Sequence, residues 1–342
     1  MTLRLALVGC GEHSELSHAA PLARYAAARP GEIELAAACD LERARAERFC
    51  REFGFARAYA SLDELLAAER LDGCVTVMPV GRIGEVAAKV LERGIPCVIE
   101  KPLGTSLGEV ERLAEVARRT GTPHMVSVNR RFMPYLNRAA RWARESGELR
   151  YVRATMVRHR RDEPAFIWET ALHALDALRH VAGEIAEHRA SGPRPPGLSA
   201  DWYLVPLVFE GSALGHLEVL PTAGVVEESY DLFGEGFRAR VVAGSGPQRS
   251  LHCWRGGRLE VEEFADEGTP EDLRSGAYEE VLEFVGALRE GRRPAPTVED
   301  VLPSSRVCFR IAEEFKSPLT RRPTRGFGLD QVHGDKPVNG QT

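Results

Sequence analysis

The sequence predicts an α/β protein with an N-terminal Rossmann dinucleotide-binding domain and a C-terminal α+β domain with a large, mostly antiparallel open sheet. Three observations favour this fold. A glycine pair follows the first apolar run, short apolar runs alternate with amphipathic stretches up to about residue 128, and strand-like alternation dominates after about residue 149. The length of 342 residues suits two domains. We place them at residues 1–128 and 129–325, with 326–342 as a flexible tail.

In the N-terminal part, five apolar runs are predicted to be strands: 3–8, 33–39, 73–78, 97–100 and 124–128. A helix is expected from about Glu15 to Ala28. Two later helices begin at the capping-box spacings Ser61 with Glu64 and Ser106 with Glu109, and Gly121 suits the end of the second. Strands that alternate with helices form a parallel, doubly wound sheet.

The C-terminal part has a different pattern. "LRYVRATMVRHR" reads as a long strand, a helix is expected from about residue 164 to 182, and strands follow with hairpin turns at "FEGSA" and "FGEGF". Helices are expected near 272–290 and 298–315, and a loop at "SGPRPPG", 191–197. Helices on one face of an antiparallel sheet make an α+β domain.

Composition restricts the function. A hydrophobic fraction of 44%, a charged fraction of 28% and a net charge of −5 describe a folded protein without a nucleic-acid partner. The basic cluster "RHRRDE" is interpreted as a solvated strand end, with an anion-contacting site as the alternative. Seven cysteines without C-x-x-C spacing indicate a reducing compartment, and the first apolar run is too short to span a membrane. We therefore expect a cytoplasmic protein.

The glycine pair at Gly9 and Gly11 is the candidate phosphate-binding loop. Of four G-x-G pairs in the chain, it alone follows a strand-like run and leads into a helix. The first glycine permits the tight turn, the second permits close approach of the pyrophosphate, and the third position, a helix-packing site, is Ser14. Glu12 and His13 are candidates for backbone N–H contacts to the pyrophosphate at the start of the helix.

Asp40 closes the second predicted strand. A carboxylate there accepts hydrogen bonds from the ribose hydroxyls of the cofactor and repels a 2′-phosphate, which favours NAD over NADP. Arg43 and Arg45 lie close enough in sequence to keep NADP open. The alternative role for Asp40 is the N-cap of a helix that starts at Leu41.

Two further features carry ionisable groups. Glu100 and Lys101 end a predicted strand at the carboxyl edge of the sheet, where open α/β sheets bind ligands, although a plain surface charge is the alternative. On the predicted helix 164–182, the spacing of four side chains gives one ionisable stripe: Glu169, His173, Asp176 and His180. It is either a solvated face or a cleft-facing stripe whose histidine moves a proton. No metal site is expected.

The order of these features resembles the family of glucose-fructose oxidoreductase, inositol dehydrogenase and MocA. The matching segments are "LVGCG", "CD" at 39–40, "VIEKPLG" at 98–104, "NRRF" at 129–132, "GELRYVRA" at 147–154, "HALDALRHVAG" at 173–183 and "GRRPAPTVEDVL" at 291–302. The resemblance implies hydride exchange between a nicotinamide cofactor and a hydroxyl or carbonyl carbon of a sugar, cyclitol or similar polyol. It also implies a homodimer or homotetramer formed through the C-terminal sheet.

Site residues follow from the resemblance and from the features above. Lys101 would bind the reacting oxygen, His173 would act as general acid/base, and Arg130 would lie near the substrate. The full expectation is: catalysis by Lys101, His173 and Glu169; binding of NAD, with NADP open, by Gly9, Gly11, Glu12, His13, Asp40, Pro79, Glu100, Lys101 and Asn129; substrate contact by Arg130, Trp168 and Asp176, with Trp168 stacking on a pyranose face.

The chain departs from the family pattern at several positions. Glu169 stands where an aspartate is usual, Ser14 stands at the third glycine, and Met78, Val80 and Ile83 fall in a segment that usually carries polar groups. Arg158, Arg160 and Arg161 precede the helix that carries His173 and would suit a carboxylated or phosphorylated sugar.

Two other functions stay open. One is a hydrolase or lyase that keeps NAD bound and uses a transient oxidation. The other is a non-catalytic cofactor-binding regulator, against which the retention of both Lys101 and His173 argues.

Overall fold

The structure is a computed structural model that describes residues 1–190, 198–243, 249–266 and 268–316. The predicted loop at 191–197 and the predicted tail at 326–342 lie outside the described residues.

The N-terminal part forms a six-stranded sheet in which every neighbouring pair is parallel. Its strands are β1 Leu3–Val8, β2 Ile33–Cys39, β3 Arg57–Tyr59, β4 Gly73–Thr76, β5 Cys97–Glu100 and β6 His124–Ser127. The order β3-β2-β1-β4-β5-β6 confirms the predicted doubly wound architecture. The sequence did not reveal β3, because its three residues are too few for a periodic pattern.

Helices connect these strands. They are α1 Glu12–Ser14, a π-helical segment Glu15–Ala19, α2 Ala20–Ala28, α3 Arg43–Phe53, α4 Leu62–Ala68, α5 Val80–Glu92 and α6 Leu107–Thr120. The helix expected from Glu15 therefore starts earlier, at Glu12, and contains a π-helical turn. Ser106 accepts the backbone N–H of Glu109, and Gly121 ends α6 in the left-handed region, both as predicted. Ser61 stands at the N-cap of α4 without a side-chain bond.

The C-terminal part begins with a 3₁₀ helix, Asn129–Phe132, and α7, Pro134–Ser146. It then forms an eight-stranded sheet from β7 Leu149–Val157, β8 Ile185–His188, β9 Tyr203–Phe209, β10 Leu214–Leu220, β11 Glu227–Gly234, β12 Phe237–Ala243, β13 Ser250–Arg255 and β14 Arg258–Phe264. Its order is β14-β13-β12-β11-β7-β10-β9-β8, and only the β7 and β10 pair is parallel. Both predicted hairpins, β9 to β10 and β11 to β12, are confirmed.

The helix predicted over 164–182 is two helices, α8 Phe166–Glu169 and α9 Leu172–Ala182. At the break, the Ala171 N–H bonds to the Phe166 carbonyl, five residues back, and the His173 N–H bonds to the Thr170 carbonyl, three residues back. A wide turn followed by a tight turn interrupts the regular helical pattern. Glu169 and His173 therefore do not share one helix, and the predicted four-residue stripe is wrong at its first member.

Three helices complete the described chain: α10 Glu271–Ser275, α11 Ala277–Glu290 and α12 Val298–Lys316. The single helix expected over 272–290 is interrupted at Gly276, whose φ of +89° ends α10, and a Cβ there would meet the Asn129 carbonyl oxygen at 2.4 Å. α11 packs against α2, whereas α12 packs against α6, α8 and α9. Among the described residues, no helix has both the length and the apolar character needed to cross a membrane.

Candidate active site

The loop after β1 has the backbone geometry of a phosphate-binding turn. Gly9 has a φ of +94°, and a Cβ there would lie 1.8 Å from the Val77 carbonyl oxygen, so only glycine fits. A Cβ on Gly11 would meet no protein atom within 4 Å, which leaves open space in front of the start of α1. Ser14, at the third position of the pattern, is completely buried.

In front of this loop lies a cleft of about 750 Å³, a size that suits a dinucleotide. Eight of the nine residues expected at the cofactor line it: Gly9, Gly11, Glu12, His13, Asp40, Pro79, Glu100 and Lys101. The ninth, Asn129, does not line the cleft, and its side-chain oxygen accepts a hydrogen bond from Arg130 at 2.8 Å. The sequence could not show that Asn129 lies outside the cleft. Asn129 follows β6, which is the strand next to β5, and β5 carries the cleft residue Glu100 at its end.

Asp40 accepts two backbone hydrogen bonds. Its Oδ2 accepts the Cys10 N–H at 2.8 Å and its Oδ1 accepts the Glu42 N–H at 2.9 Å. The alternative role as a helix N-cap is wrong, because α3 begins at Arg43 with Glu42 at its N-cap. A carboxylate has about four lone-pair sites, so Asp40 keeps acceptor capacity for the hydroxyls of a ribose.

The two arginines that kept NADP open are both paired. Arg45 lies 2.8 Å from the Glu42 carboxylate and Arg43 lies 3.0 Å from that of Glu47. Both pairs are exposed, and such pairs are weak.

Glu100 is buried at the end of β5, between two histidines. Its Oε2 lies 2.8 Å from His18 Nε2 and its Oε1 lies 3.3 Å from His13 Nε2. Burial alone would raise the pKa of the Glu100 carboxyl, but the hydrogen bonds from His13 and His18 hold that pKa well below its usual value. Glu100 is therefore a buried anion. The sequence did not point to His18, since helical spacing does not pair positions 13 and 18.

Lys101 reaches across to the C-terminal part. Its Nζ donates to the backbone carbonyl of Glu169 at 3.1 Å. Burial lowers the pKa of Lys101, an effect that the neighbouring Glu100 opposes and that Arg130 reinforces. Glu169 thus contacts Lys101 through its main chain, at the carbonyl exposed by the break between α8 and α9.

His173 lies near the start of α9 with only 6% of its surface exposed. Its Nδ1 is buried and has no hydrogen-bond partner in the described part of the chain. Burial holds the pKa of His173 well below its usual value, and the charges of Arg130 and then Lys101 lower it further. The ring is therefore neutral at pH 7 and can accept a proton.

Arg130 forms a bidentate pair with Glu228 of β11. Its Nε and Nη2 lie 3.0 and 2.9 Å from the two carboxylate oxygens, and Arg158 Nη2 also donates to Glu228 at 3.1 Å. The interpretation of the basic cluster as a solvated strand end is wrong for Arg158, whose side chain is only 12% exposed, whereas Arg160 is exposed.

Sequence reasoning missed Glu228, which shares a strand face with the buried Tyr230 and Leu232. The alternation of that strand was the available signal: an acidic residue on the apolar face of a strand needs a buried cation.

The Asp176 carboxylate forms hydrogen bonds within the protein. It accepts from Arg131 Nε and Nη2 at 2.7 and 2.9 Å and from the Ser304 hydroxyl at 2.7 Å. Trp168 is half-buried and its ring stacks on Phe309 at 5.5 Å. The structure therefore packs these two predicted substrate residues against α12.

The predicted ionisable stripe is neither wholly solvated nor wholly cleft-facing. His173 and Asp176 are buried. His180, which lies two turns after His173 and about one turn after Asp176 on α9, is exposed.

Fold and cleft together define a class. Where a parallel, doubly wound sheet has a glycine turn after its first strand and an acidic residue at the end of its second, the crevice at the carboxyl ends of the strands binds a dinucleotide. The open space at Gly11 and the acceptor capacity left on Asp40 fit that ligand. Lys101 lines the same cleft, and its charge acts on the neutral His173, which does not itself line the cleft. A lysine and a neutral histidine that act on each other are typical proton-transfer groups of an oxidoreductase.

Comparison with known proteins shows what the chain is similar to. Residues 3–129 match the family model described as the oxidoreductase family with an NAD-binding Rossmann fold. The chain is similar to inositol 2-dehydrogenase from Corynebacterium glutamicum, with 24% identity over 278 residues, which are 77% of this chain and 80% of the relative. It is also 24% identical over 339 residues to 4-carboxy-2-hydroxymuconate-6-semialdehyde dehydrogenase from Sphingobium sp., covering 94% of this chain and all of the relative.

A solved structure has the same fold. It is an oxidoreductase from Agrobacterium radiobacter in complex with NAD+, L-tartaric acid and magnesium; the TM-score is 0.76 at 18% identity, over 92% of this chain and 96% of the other. The chain matches the Gfo/Idh/MocA family model over residues 3–129. It is an NAD(P)-dependent oxidoreductase, as the resemblance in the sequence predicted.

Proposed function

We propose that the protein is a dehydrogenase or reductase that transfers a hydride between the nicotinamide of NAD and a CH–OH carbon of a sugar, cyclitol or similar polyol. The observation that carries the proposal is His173, a buried, neutral imidazole whose Nδ1 has no hydrogen-bond partner among the described residues. The charges of Arg130 and Lys101 both lower its pKa. The similarity to an enzyme named inositol 2-dehydrogenase supports the substrate class.

The side chains divide the proton chemistry between them. When bound, the nicotinamide supplies the hydride acceptor or donor. A carbinol carbon gives up a hydride only as its hydroxyl proton leaves, so a base within hydrogen-bond reach is required, and neutral His173 provides it. Lys101 has three donors and uses one on the Glu169 carbonyl, which leaves two for the developing alkoxide. Glu169 acts as a positioning residue, since its carbonyl fixes the lysine.

Asp40 selects the cofactor in this proposal. Its carboxylate would accept the ribose hydroxyls and repel a 2′-phosphate. Arg43 and Arg45 form only weak, exposed pairs with glutamates, so the preference rests on Asp40. Thermal shift with NAD and with NADP at equal concentrations tests the preference, because the ligand with the lower Kd stabilises the native state more. Greater stabilisation by NADP would contradict it.

Kinetics of Lys101→Ala and His173→Ala test the reaction. Both variants are expected to reduce turnover of a responsive polyol by about 10²-fold to 10⁴-fold, while NAD affinity stays nearly unchanged. Arg150→Ala is the matched control, because the Arg150 side chain is 61% exposed and, in the described part of the chain, forms an ion pair with the exposed Glu148. Full activity in either variant would refute the assignment. Product formation without net NADH would favour the hydrolase or lyase with bound NAD.

The same proposal includes three further points. The chain divides into two domains at residue 128, the protein acts in the cytoplasm, and it self-associates through the large sheet. All seven cysteines are free thiols, which suits a reducing compartment. The assembly would be a homodimer or homotetramer of a kind that leaves the cofactor cleft open.

A further inference from the structure

Three potential metal ligands meet at the wall of the cofactor cleft. One ring nitrogen each of His13 and His18 and a carboxylate oxygen of Glu100 all lie within 4.8 Å of one another. The side chains of His18 and Glu100 are 4% and 6% exposed, whereas that of His13 is 56% exposed. The cluster is therefore fixed by the fold on two sides and open on the third.

The π-helical turn creates this cluster. In a regular α-helix, residues five apart point in different directions, and only spacings of three or four share a face. The π-helical segment Glu15–Ala19, with its hydrogen bonds to the fifth residue, adds one residue to the turn. His13 and His18 thereby lie on one face, opposite the end of β5. Extra residues of this kind occur frequently at functional sites.

We propose that His13, His18 and Glu100 form a binding site for a divalent transition-metal ion, Zn²⁺ above all. Two imidazole nitrogens and one carboxylate oxygen are the three protein ligands of one common class of zinc site that keeps its fourth position open. With ion-to-ligand distances of about 2.0 to 2.2 Å, tetrahedral ligands lie roughly 3.3 Å apart. The separations of 2.8 Å from His18 Nε2 to Glu100 Oε2 and of 3.3 Å from His13 Nε2 to Glu100 Oε1 reach that geometry with small side-chain shifts.

The open position faces the cofactor cleft. His13 and Glu100 both line the cleft, and the buried His18 closes the opposite side. An ion held there, with its water, would occupy the part of the cleft beside the glycine loop. Zn²⁺ and NAD are therefore expected to weaken each other's binding, which goes beyond the oxidoreductase activity and makes the site a means of metal inhibition.

Isothermal titration of metal-free protein with Zn²⁺ tests the site directly. We expect one ion per chain for the native protein, and an affinity lower by about tenfold or more in His13→Ala and in Glu100→Gln, a loss of at least 1.4 kcal/mol. His13→Ala is the more informative change, because the exposed ring contributes little to folding. His216→Ala is the matched control: His216 lies 3.3 Å from Glu218, the same separation as His13 from Glu100, but on the large sheet. The Zn²⁺ affinity of His216→Ala should equal that of the native protein.

Two further readouts fix the position of the ion. Co²⁺ in place of Zn²⁺ should give the visible absorption of a tetrahedral nitrogen and oxygen site, without the thiolate band that binding at a cysteine would produce. Saturating NAD should reduce the Zn²⁺ affinity of the native protein. No Zn²⁺ binding, equal affinity in His13→Ala, a thiolate band, or an affinity indifferent to NAD would each overturn the proposal. NAD binding without metal is measured separately, so failure here leaves the oxidoreductase function intact.

Discussion

At the scale of single residues, Gly9 and Gly11 have different physical demands although they belong to one motif. Gly9 is required by the protein, because its φ is +94° and an added Cβ would clash with the Val77 carbonyl at 1.8 Å. Gly11 has a negative φ and no neighbour within 4 Å of an added Cβ. The demand for glycine at position 11 therefore comes from the ligand.

This difference predicts opposite phenotypes for two alanine variants. Gly9→Ala should lower the melting temperature, with a cost of about 1–3 kcal/mol or more for the strained backbone and the clash. Gly11→Ala should melt like the native protein but bind NAD more weakly, because its methyl group would take the space of the pyrophosphate. Thermal denaturation and NAD titration of both variants check the pair. Equal loss of stability in the two would contradict the assignment.

Arg130 is expected to set the pH dependence of the reaction through His173. Its charge is the largest influence on the pKa of His173 after burial, and it lowers that pKa. Because alcohol oxidation needs the neutral ring, activity should fall only well below pH 6.5, the ordinary value for histidine. Arg130→Gln removes a nearby cation, so the pKa of His173 rises and the acid limb of kcat/KM moves to higher pH.

The position of that limb, more than the absolute rate, separates an electrostatic role from a structural one. Arg130→Lys keeps the charge and should keep the limb near its native position, even if kcat falls because the bidentate pair with Glu228 is lost. A limb that does not move in Arg130→Gln would show that burial alone controls His173.

At the scale of secondary-structure elements, one carboxylate on α9 helps to fix that helix, together with Arg179, which donates to Asp300 and Ser304 of α12. Asp176 connects α9 to the 3₁₀ helix through Arg131 and to α12 through Ser304. His173 lies one turn before Asp176 on the same helix. The pair with Arg131 thus holds the proposed base in place from inside the protein.

A double-mutant cycle tests this anchor. Asp176→Ala should destabilise the protein by about 3–5 kcal/mol, because it leaves the Arg131 charge buried without its partner. Arg131→Met in the same background should recover part of that loss, since the unpaired charge is removed as well. Chemical denaturation measures all variants, with the exposed Glu148→Ala as a control of small effect. If the losses in free energy of unfolding of the two single variants add up in the double variant, Asp176 and Arg131 are not coupled.

The break between α8 and α9 is the second important feature at this scale. It turns the Glu169 carbonyl out of the helical hydrogen-bond pattern and towards Lys101 Nζ, 3.1 Å away. A continuous helix would have used that carbonyl for its own N–H four residues on. The interruption therefore supplies the contact that joins the two parts of the proposed active site.

At the scale of the whole molecule, the chain returns to its first sheet after building the second. α11 packs against α2, and α12 packs against α6 on one side and α8 and α9 on the other. The two sheets are therefore tied by more than the connection at residue 128. Within the described residues, part of the opposite face of the large sheet is uncovered: Val208 and Leu214 are paired across β9 and β10 and are 36% and 54% exposed.

Exposed apolar strand positions of this kind predict self-association. Introducing lysine at both, Val208→Lys with Leu214→Lys, should shift the protein to a smaller species, because charges opposed across the interface would repel each other. Sedimentation or light scattering at several concentrations measures the mass. Glu210→Lys in the adjoining turn adds charge without touching that apolar face and serves as the control. A native protein that is monomeric at all concentrations would refute self-association through this sheet.

The sequence by itself determined the order of the elements, because each depends on local information. Apolar runs, capping residues and glycines act within a few residues, so five of the six Rossmann strands, both hairpins and the glycine turn could be predicted. Asp40, Glu100 and Lys101 were found for the same reason: each ends a strand, and strand ends in a parallel sheet meet at one edge.

Only the tertiary structure decided which charges meet. Glu228 with Arg130, Asp176 with Arg131 and His18 with Glu100 are separated by 98, 45 and 82 residues. No local pattern specifies such pairs, because they depend on which faces of distant elements are buried together, and a buried charge must find its partner wherever the fold brings one. The break before α9 and the π-helical turn are local deviations of the same origin, since the regular helix favoured by sequence gave way to contacts with distant residues.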